Sequence, residues 1–166
     1  MPILVTIFRF FLIIPTVYLL EEGRDALAGL LVLIAGLSDW LDGELARRNN
    51  QISKLGILLD PLVDKAFVLS VLSFFLYEQK VELLPFLLLL IRELSVSFLR
   101  SLSVEKGYTM PASYLGKAKA FFEFLTLIAL CFNHWTAGQL LWLSIFLAYA
   151  SMYDYLLKYI SYSRTV

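Results

Sequence analysis

Cysteine and histidine are almost absent from this chain of 166 residues, which has one of each, Cys131 and His134. A single cysteine excludes an internal disulfide and says nothing about the redox compartment. Charged residues are also scarce, at 17% of the chain, and the formal net charge is zero; no nucleic-acid partner is expected. The sequence also lacks internal repeats and low-complexity linkers. We therefore predict a single domain over residues 1–166.

Apolar residues make up 60% of the chain, and the mean hydropathy is +0.76. Soluble domains contain about 45–50% apolar residues. The excess here is concentrated in long runs, and a membrane-spanning helix needs about 20 such residues. The sequence predicts an all-α, polytopic membrane protein, a bundle of six transmembrane helices with short connections. The predicted spans are Ile3–Leu20, Ala26–Arg47, Leu55–Tyr77, Leu83–Leu102, Tyr114–Phe132 and Ala137–Tyr159.

Basic residues are distributed unequally between the connections. If the spans alternate from a cytoplasmic N-terminus, the outer connections contain only Arg24 and Lys80 as bases. The inner side carries Arg47, Arg48, Lys54, Arg100, Lys106, Lys117, Lys119, Lys158 and Arg164. This positive-inside pattern predicts that both termini are cytoplasmic, and we expect the inner membrane of a bacterium. The first segment has no basic region before it and no cleavage site, so we interpret it as a retained span.

Four aspartates, Asp39, Asp42, Asp60 and Asp64, lie within the short stretch SDWLDGELARRNNQISKLGILLDPLVDKAF. A charged side chain costs about 2.5–3.5 kcal/mol at the centre of a spanning helix, so we expect this group to line a polar cavity at the cytoplasmic face. Asp39 and Asp42 are three residues apart, Asp60 and Asp64 four, so each pair shares a helix face. Four neighbouring carboxylates need cations, and an oxygen-only ligand set favours Mg²⁺ or a similar hard cation.

Small and basic residues stand beside these carboxylates. Gly43, Ala46 and Gly56 allow a ligand or a facing helix to approach the backbone. Arg47 can donate two hydrogen bonds to a phosphate, and metal ions with an Arg clamp are typical of phosphoryl transfer. The alternative is structural, with each carboxylate in an interfacial ion pair with a base such as Lys65.

The spacing Asp39-x2-Asp42-Gly43-x2-Ala46-Arg47-x8-Gly56-x3-Asp60-x3-Asp64 resembles the signature of the CDP-alcohol phosphotransferases, at every position and gap. The resemblance implies a homodimer of six-helix membrane subunits that releases CMP. It also implies that the four aspartates hold two Mg²⁺ or Mn²⁺ ions, with Asp64 as the general base. Gly43, Ala46, Arg47, Ser53 and Gly56 would then bind the nucleotide, although that family commonly has Thr at the position of Ser53.

Acceptor choice depends on the stretch IRELSVSFLRSLSVEKGYTMPASYLGKAKAFFEF. Arg92, Arg100, Lys117 and Lys119 form a cationic set at the cytoplasmic end, suited to a phosphorylated acceptor. The Arg-Glu pair, the second Arg eight residues later and the Gly-Lys-x-Lys segment resemble the phosphatidylglycerophosphate synthases. The opening MPILVTIFR is also similar, except that Ile3 replaces that family's usual Asn.

That resemblance implies transfer of the phosphatidyl group from CDP-diacylglycerol to sn-glycerol 3-phosphate, with the four cations on the acceptor phosphate. A cardiolipin synthase or a phosphatidylinositol phosphate synthase of the same superfamily is the alternative. A divalent-cation carrier is a further one, for which carboxylates near the middle of the membrane and broken helices would be expected. The roles of Arg9, Glu123 and Asp154 stay open.

Overall fold

The part of the chain that the structure describes contains six helices. The computed structural model describes residues 2–49, 54–105, 107, 108, 110 and 113–163. Side chains are described for 6–38, 62–104 and most of 107–161. The helices are α1 (Pro2–Glu21), α2 (Asp25–Asn49), α3 (Lys54–Tyr77), α4 (Leu83–Glu105), α5 (Tyr114–Cys131) and α6 (Ala137–Ser163). They confirm the all-α class and the six predicted segments, each of which agrees within four residues at either end (Ser163 against Tyr159).

The helices end where the backbone can turn into the left-handed region. Gly23 (φ 69°) follows α1 and Gly107 (φ 78°) follows α4. At α1 the N–H of Gly23 bonds to the carbonyl of Leu20, and that of Arg24 bonds to Leu19. This paired arrangement is the Schellman motif, which satisfies the last carbonyls of a helix. After α1 the chain therefore reverses within three residues, and α2 packs beside α1.

Helix α3 lies at the centre of the bundle. It packs against α1, α4 and α5, while α1 also packs against α2, and α5 and α6 pack against each other. Phe67, Val71, Leu72 and Phe75 of α3 are almost fully buried in the apolar core. The positions of α1, α4 and α5 relative to one another therefore depend on α3.

Close packing of α2 on α5 depends on a small residue. A Cβ atom at Gly36 would lie 3.1 Å from Cδ1 of Phe124, and the Phe124 ring stacks on Phe67 at a centroid distance of 6.0 Å. Because the ring is held from both sides, the absence of a side chain at Gly36 sets the distance between the two helices.

One helix in the described part of the chain is long and apolar enough, by length and composition alone, to cross a membrane. It is the segment Ala137–Ser161 of α6, and a shorter apolar helical segment covers Asp25–Ser38. The polytopic arrangement with a cytoplasmic cavity stays a prediction.

Candidate active site

The sequence signature lies on two helices. Five of its positions fall on α2 and three on α3, and the helical backbone places residues three or four apart on one face; these positions are Asp39, Asp42, Gly43, Ala46 and Arg47 on α2, and Gly56, Asp60 and Asp64 on α3. The side chains of residues 39–61 lie outside the described part of the structure, and Ser53 lies outside it altogether. Of the four aspartates, only Asp64 has a described environment.

Asp64 forms an ion pair with an arginine that is distant in sequence. Its partially exposed carboxylate accepts a hydrogen bond from Nη1 of Arg9, on α1. Arg9 is 1% exposed, and its Nη2 donates to Oγ of Ser38 on α2 at 3.4 Å. One guanidinium thus joins three helices at the candidate general base. The role of Arg9 is open from the sequence, but an arginine within the apolar run TIFRFF is a signal that it pairs inside the bundle.

Arg92 is buried between α4 and α6. Its Nε donates to the carbonyl of Ala148 at 2.9 Å, Nη2 donates to Oγ of Ser151, and Nη1 donates to the carboxylate of Glu93. With the described residues, these bonds use three of the five N–H groups of a guanidinium. The side chain is therefore held rigidly, and the remaining two donors are those that a ligand could use.

Glu93 is the centre of a buried network of charges. Its Oε1 lies 2.8 Å from Nζ of Lys119 and also pairs with Arg92, and its Oε2 lies 3.6 Å from Nζ of Lys65. Lys119 also contacts Oε2 of Glu123 at 2.6 Å. The three cations exceed the two carboxylates by one positive charge. We define these five residues, from α3, α4 and α5, as the Glu93 network.

Of the four cations expected to bind the acceptor phosphate, the structure brings two together. Arg92 and Lys119 meet at Glu93. Arg100 donates to the carbonyl of Met110 at 3.2 Å and lies over the ring of Tyr155. Lys117 is exposed. Arg92 and Lys119 thus share a carboxylate, whereas Arg100 contacts the segment that connects α4 to α5.

Two polar residues whose partners were uncertain from the sequence are now explained. Glu123 is 5% exposed and pairs with Lys119 within α5. Asp154 pairs with Lys158 at 2.8 Å in a partially exposed position on α6. Lys65, named in the structural alternative as an ion-pair partner of the signature carboxylates, contacts Glu93 and Ser97 of α4.

A divalent metal fits the donor set. Among the described side chains, no group of three or more His, Cys, Asp or Glu residues is placed to hold a metal ion, and three of the four signature aspartates fall outside that part. The signature offers carboxylate oxygens from two helices and contains no His or Cys, which suits a hard cation.

Comparison with known proteins decides the family. Residues 1–150 match the family described as CDP-alcohol phosphatidyltransferase. The chain belongs to this family. Its membership confirms the resemblance drawn from the signature, and it identifies the protein as a phosphatidyltransferase enzyme.

Relatives in this family cover nearly the whole chain. The CDP-diacylglycerol–glycerol-3-phosphate 3-phosphatidyltransferase of Haemophilus influenzae is 34% identical over 167 residues, 93% of this chain and 90% of the relative. The enzyme of the same name from Rickettsia typhi is 32% identical over 157 residues, 87% of this chain and 88% of the relative. A cardiolipin synthase (CMP-forming) from Streptomyces coelicolor is 42% identical, but over 98 residues, 58% of this chain and 46% of the relative.

Proposed function

We propose that this protein transfers the phosphatidyl group of CDP-diacylglycerol to sn-glycerol 3-phosphate, giving phosphatidylglycerol phosphate and CMP. The choice of acceptor rests on the share of this chain that each group of relatives matches. Relatives named for glycerol 3-phosphate match 87% and 93% of the chain, whereas the cardiolipin synthase matches 58%. The matches also give the divalent-cation carrier no support.

The reaction follows from the groups on α2 and α3. The acceptor hydroxyl oxygen attacks the phosphatidyl phosphorus of CDP-diacylglycerol, the bond from that phosphorus to the CMP oxygen breaks, and the hydroxyl proton passes to Asp64. Arg9 holds the Asp64 carboxylate in place. Mg²⁺ or Mn²⁺ ions, two in our proposal, would be held by Asp39, Asp42, Asp60 and Asp64 and would neutralise charge on the diphosphate when bound. CMP leaves with the electron pair of the broken bond.

Binding of the two substrates is assigned to the remaining positions. We assign the cytidine nucleotide to the α2 and α3 positions of the signature and to the segment between them, on the strength of the family signature: Gly43, Ala46, Arg47, Ser53 and Gly56. The phosphate of the acceptor is assigned to Arg92, Arg100, Lys117 and Lys119. The excess positive charge of the Glu93 network supports the assignment of Arg92 and Lys119, because a phosphate monoester supplies the missing negative charge.

The distribution of side chains supports a bundle within the membrane, with six spans. Five charged residues among the described side chains are buried, and three of them, Arg9, Arg92 and Glu93, are only 1–3% exposed. In contrast, large apolar side chains are exposed on all six helices, and Phe8, Phe10 and Phe11 of α1 are more than half exposed. A soluble monomer rarely exposes apolar patches beyond a few hundred Å². We propose that lipid covers these surfaces, with the cavity and both termini cytoplasmic and a homodimer as the working unit in a bacterial inner membrane.

The topology can be tested with single cysteines in a Cys131→Ala background. Glu22 and Ser161 are both exposed, in the turn after α1 and near the end of α6. In intact cells a membrane-impermeant maleimide should label Glu22→Cys, whereas it should label Ser161→Cys only after permeabilisation. Labelling of Ser161→Cys in intact cells would contradict a cytoplasmic C-terminus.

Release of CMP from CDP-diacylglycerol tests the reaction. The purified protein is assayed in detergent with Mg²⁺ and with glycerol 3-phosphate, phosphatidylglycerol, inositol phosphate or no acceptor. We expect CMP with glycerol 3-phosphate alone. Activity only with phosphatidylglycerol would establish the cardiolipin synthase alternative, and activity only with inositol phosphate would also refute the proposed acceptor.

Asp64→Asn tests the proposed base. Asparagine keeps the shape of the side chain and an oxygen that can accept from Arg9, so the protein should fold, whereas alanine would leave the buried guanidinium without this partner. We expect CMP release to fall by about 10²-fold or more. Wild-type turnover in Asp64→Asn would refute the role of this carboxylate.

A further inference from the structure

Lys65 follows the candidate base directly in sequence but faces a different helix. Its Nζ donates to the carbonyl of Glu93 at 3.2 Å and to Oγ of Ser97, and lies 3.6 Å from Oε2 of Glu93. The side chain is 16% exposed. Three contacts thus attach one ammonium group to α4.

Adjacent residues of a helix project about 100° apart. Asp64 projects towards α1, where it pairs with Arg9, and Lys65 projects towards α4. At this level α3 is therefore fixed from two directions by charged contacts. Rotation or sliding of α3 would have to break one of the two.

The contact on α4 is also part of the proposed acceptor site. The Glu93 carboxylate that Lys65 approaches is the one that pairs with Arg92 and Lys119. Oε2 of Glu93 has no hydrogen-bond partner among the described residues, and Lys65 faces it. Asp64 is thus linked to Arg92 and Lys119, which are proposed to bind the acceptor, through the backbone of α3, Lys65 and Glu93.

We infer that Lys65 is a positioning residue for the transfer reaction, acting through Glu93 and Ser97 to fix Asp64 relative to the cations Arg92 and Lys119. The inference rests on the proposed function, because it needs Asp64 to act on an acceptor held by those cations. The acceptor hydroxyl must lie within hydrogen-bond reach of the base when its phosphate is bound. A misplacement of about 1 Å can lower the rate about 10²-fold.

Lys65→Met is the test variant, because methionine retains an unbranched apolar side chain and removes the ammonium. Glu93 keeps Arg92 and Lys119 as partners, so no buried carboxylate loses its only cation. Lys80→Met is the matched control. Lys80 pairs with Asp25 at 3.8 Å, just beyond the other end of α3, and it lies outside the proposed site.

Initial rates of CMP release are measured for both variants over ranges of glycerol 3-phosphate and CDP-diacylglycerol. For Lys65→Met we expect kcat to fall by about 10- to 100-fold, with an unchanged KM for CDP-diacylglycerol and a loss that persists at saturating glycerol 3-phosphate. Lys80→Met should keep the wild-type kcat. Lys65→Arg, which restores the cation, should recover most of the activity.

Different outcomes separate the possible failures. A loss in Lys65→Met that disappears at saturating glycerol 3-phosphate would overturn positioning and show that the charge of Lys65 serves binding of the acceptor. A kcat equal to that of Lys80→Met would also overturn it, as would failure of Lys65→Arg to recover activity while thermal unfolding matches the wild type. If the wild type itself releases no CMP with glycerol 3-phosphate, the proposed function fails first.

Discussion

Replacement of Glu93 by glutamine should destabilise the protein more than any exposed charge change. The substitution keeps the size of the side chain and removes one negative charge from a residue that is 2% exposed. In the wild type, Lys65, Arg92 and Lys119 are balanced by Glu93 and Glu123. In Glu93→Gln the same three cations have one carboxylate, so the excess in the Glu93 network rises from one positive charge to two.

The size of the effect follows from the burial of these pairs. Removing one partner of a buried ion pair costs about 3–5 kcal/mol. The amide oxygen of glutamine can still accept from Lys119, at 2.8 Å from Oε1 in the wild type, so we expect a loss near the lower limit, about 3 kcal/mol. That is a large part of a typical unfolding free energy of about 5–15 kcal/mol. Asp154→Asn is the control, because Asp154 and Lys158 are each 37% exposed and such a pair contributes about 0.3–0.5 kcal/mol.

Equilibrium unfolding in mixed detergent micelles, followed by tryptophan fluorescence, measures both changes. The double variant Glu93→Gln/Lys65→Met is informative, since it removes one cation and returns the network to one excess positive charge. It should be more stable than Glu93→Gln alone. A loss in Glu93→Gln below about 1 kcal/mol, the upper range of exposed pairs, would refute the argument, and so would a double variant less stable than the single one.

Two further experiments, one substitution and one removal of metal ions, have expected outcomes that can be measured. Tyr155→Phe removes the hydroxyl that accepts from the backbone N–H of Ser113 at 3.1 Å; this buried bond should contribute about 0.5–1.5 kcal/mol, measured by the same unfolding assay, and no loss would show that the N–H finds another acceptor. Chelation of divalent cations should abolish CMP release, and Mg²⁺ should restore it, because the four signature carboxylates need cations to bind a diphosphate; full activity after chelation would contradict the metal assignment.

The helices could be predicted from the sequence because apolar runs are interrupted by residues that favour turns, such as Gly23 and Gly107. Which charged residues pair with one another could not be predicted from the sequence. Arg9 and Asp64 are 55 positions apart, and Lys65 and Glu93 are 28. Their contact depends on how each helix is rotated about its axis, which packing decides. The sequence grouped Arg92, Arg100, Lys117 and Lys119 as one pocket from their shared end of the bundle, whereas only the structure shows which two of them share a carboxylate.

The proposed acceptor site has a consequence for the kind of alcohol that it can accept. Arg92 and Lys119 are fixed by Glu93, Ser151 and Glu123, and they cannot turn away to solvent when an uncharged alcohol enters. Such an acceptor would leave the excess positive charge of the network uncompensated in a buried region, which is unfavourable. An acceptor with its own phosphate removes that penalty on binding. If Arg92 and Lys119 bind the acceptor as proposed, we expect this rigid cation pair to select for a phosphorylated alcohol, both by attraction and by the cost of leaving the site without an anion.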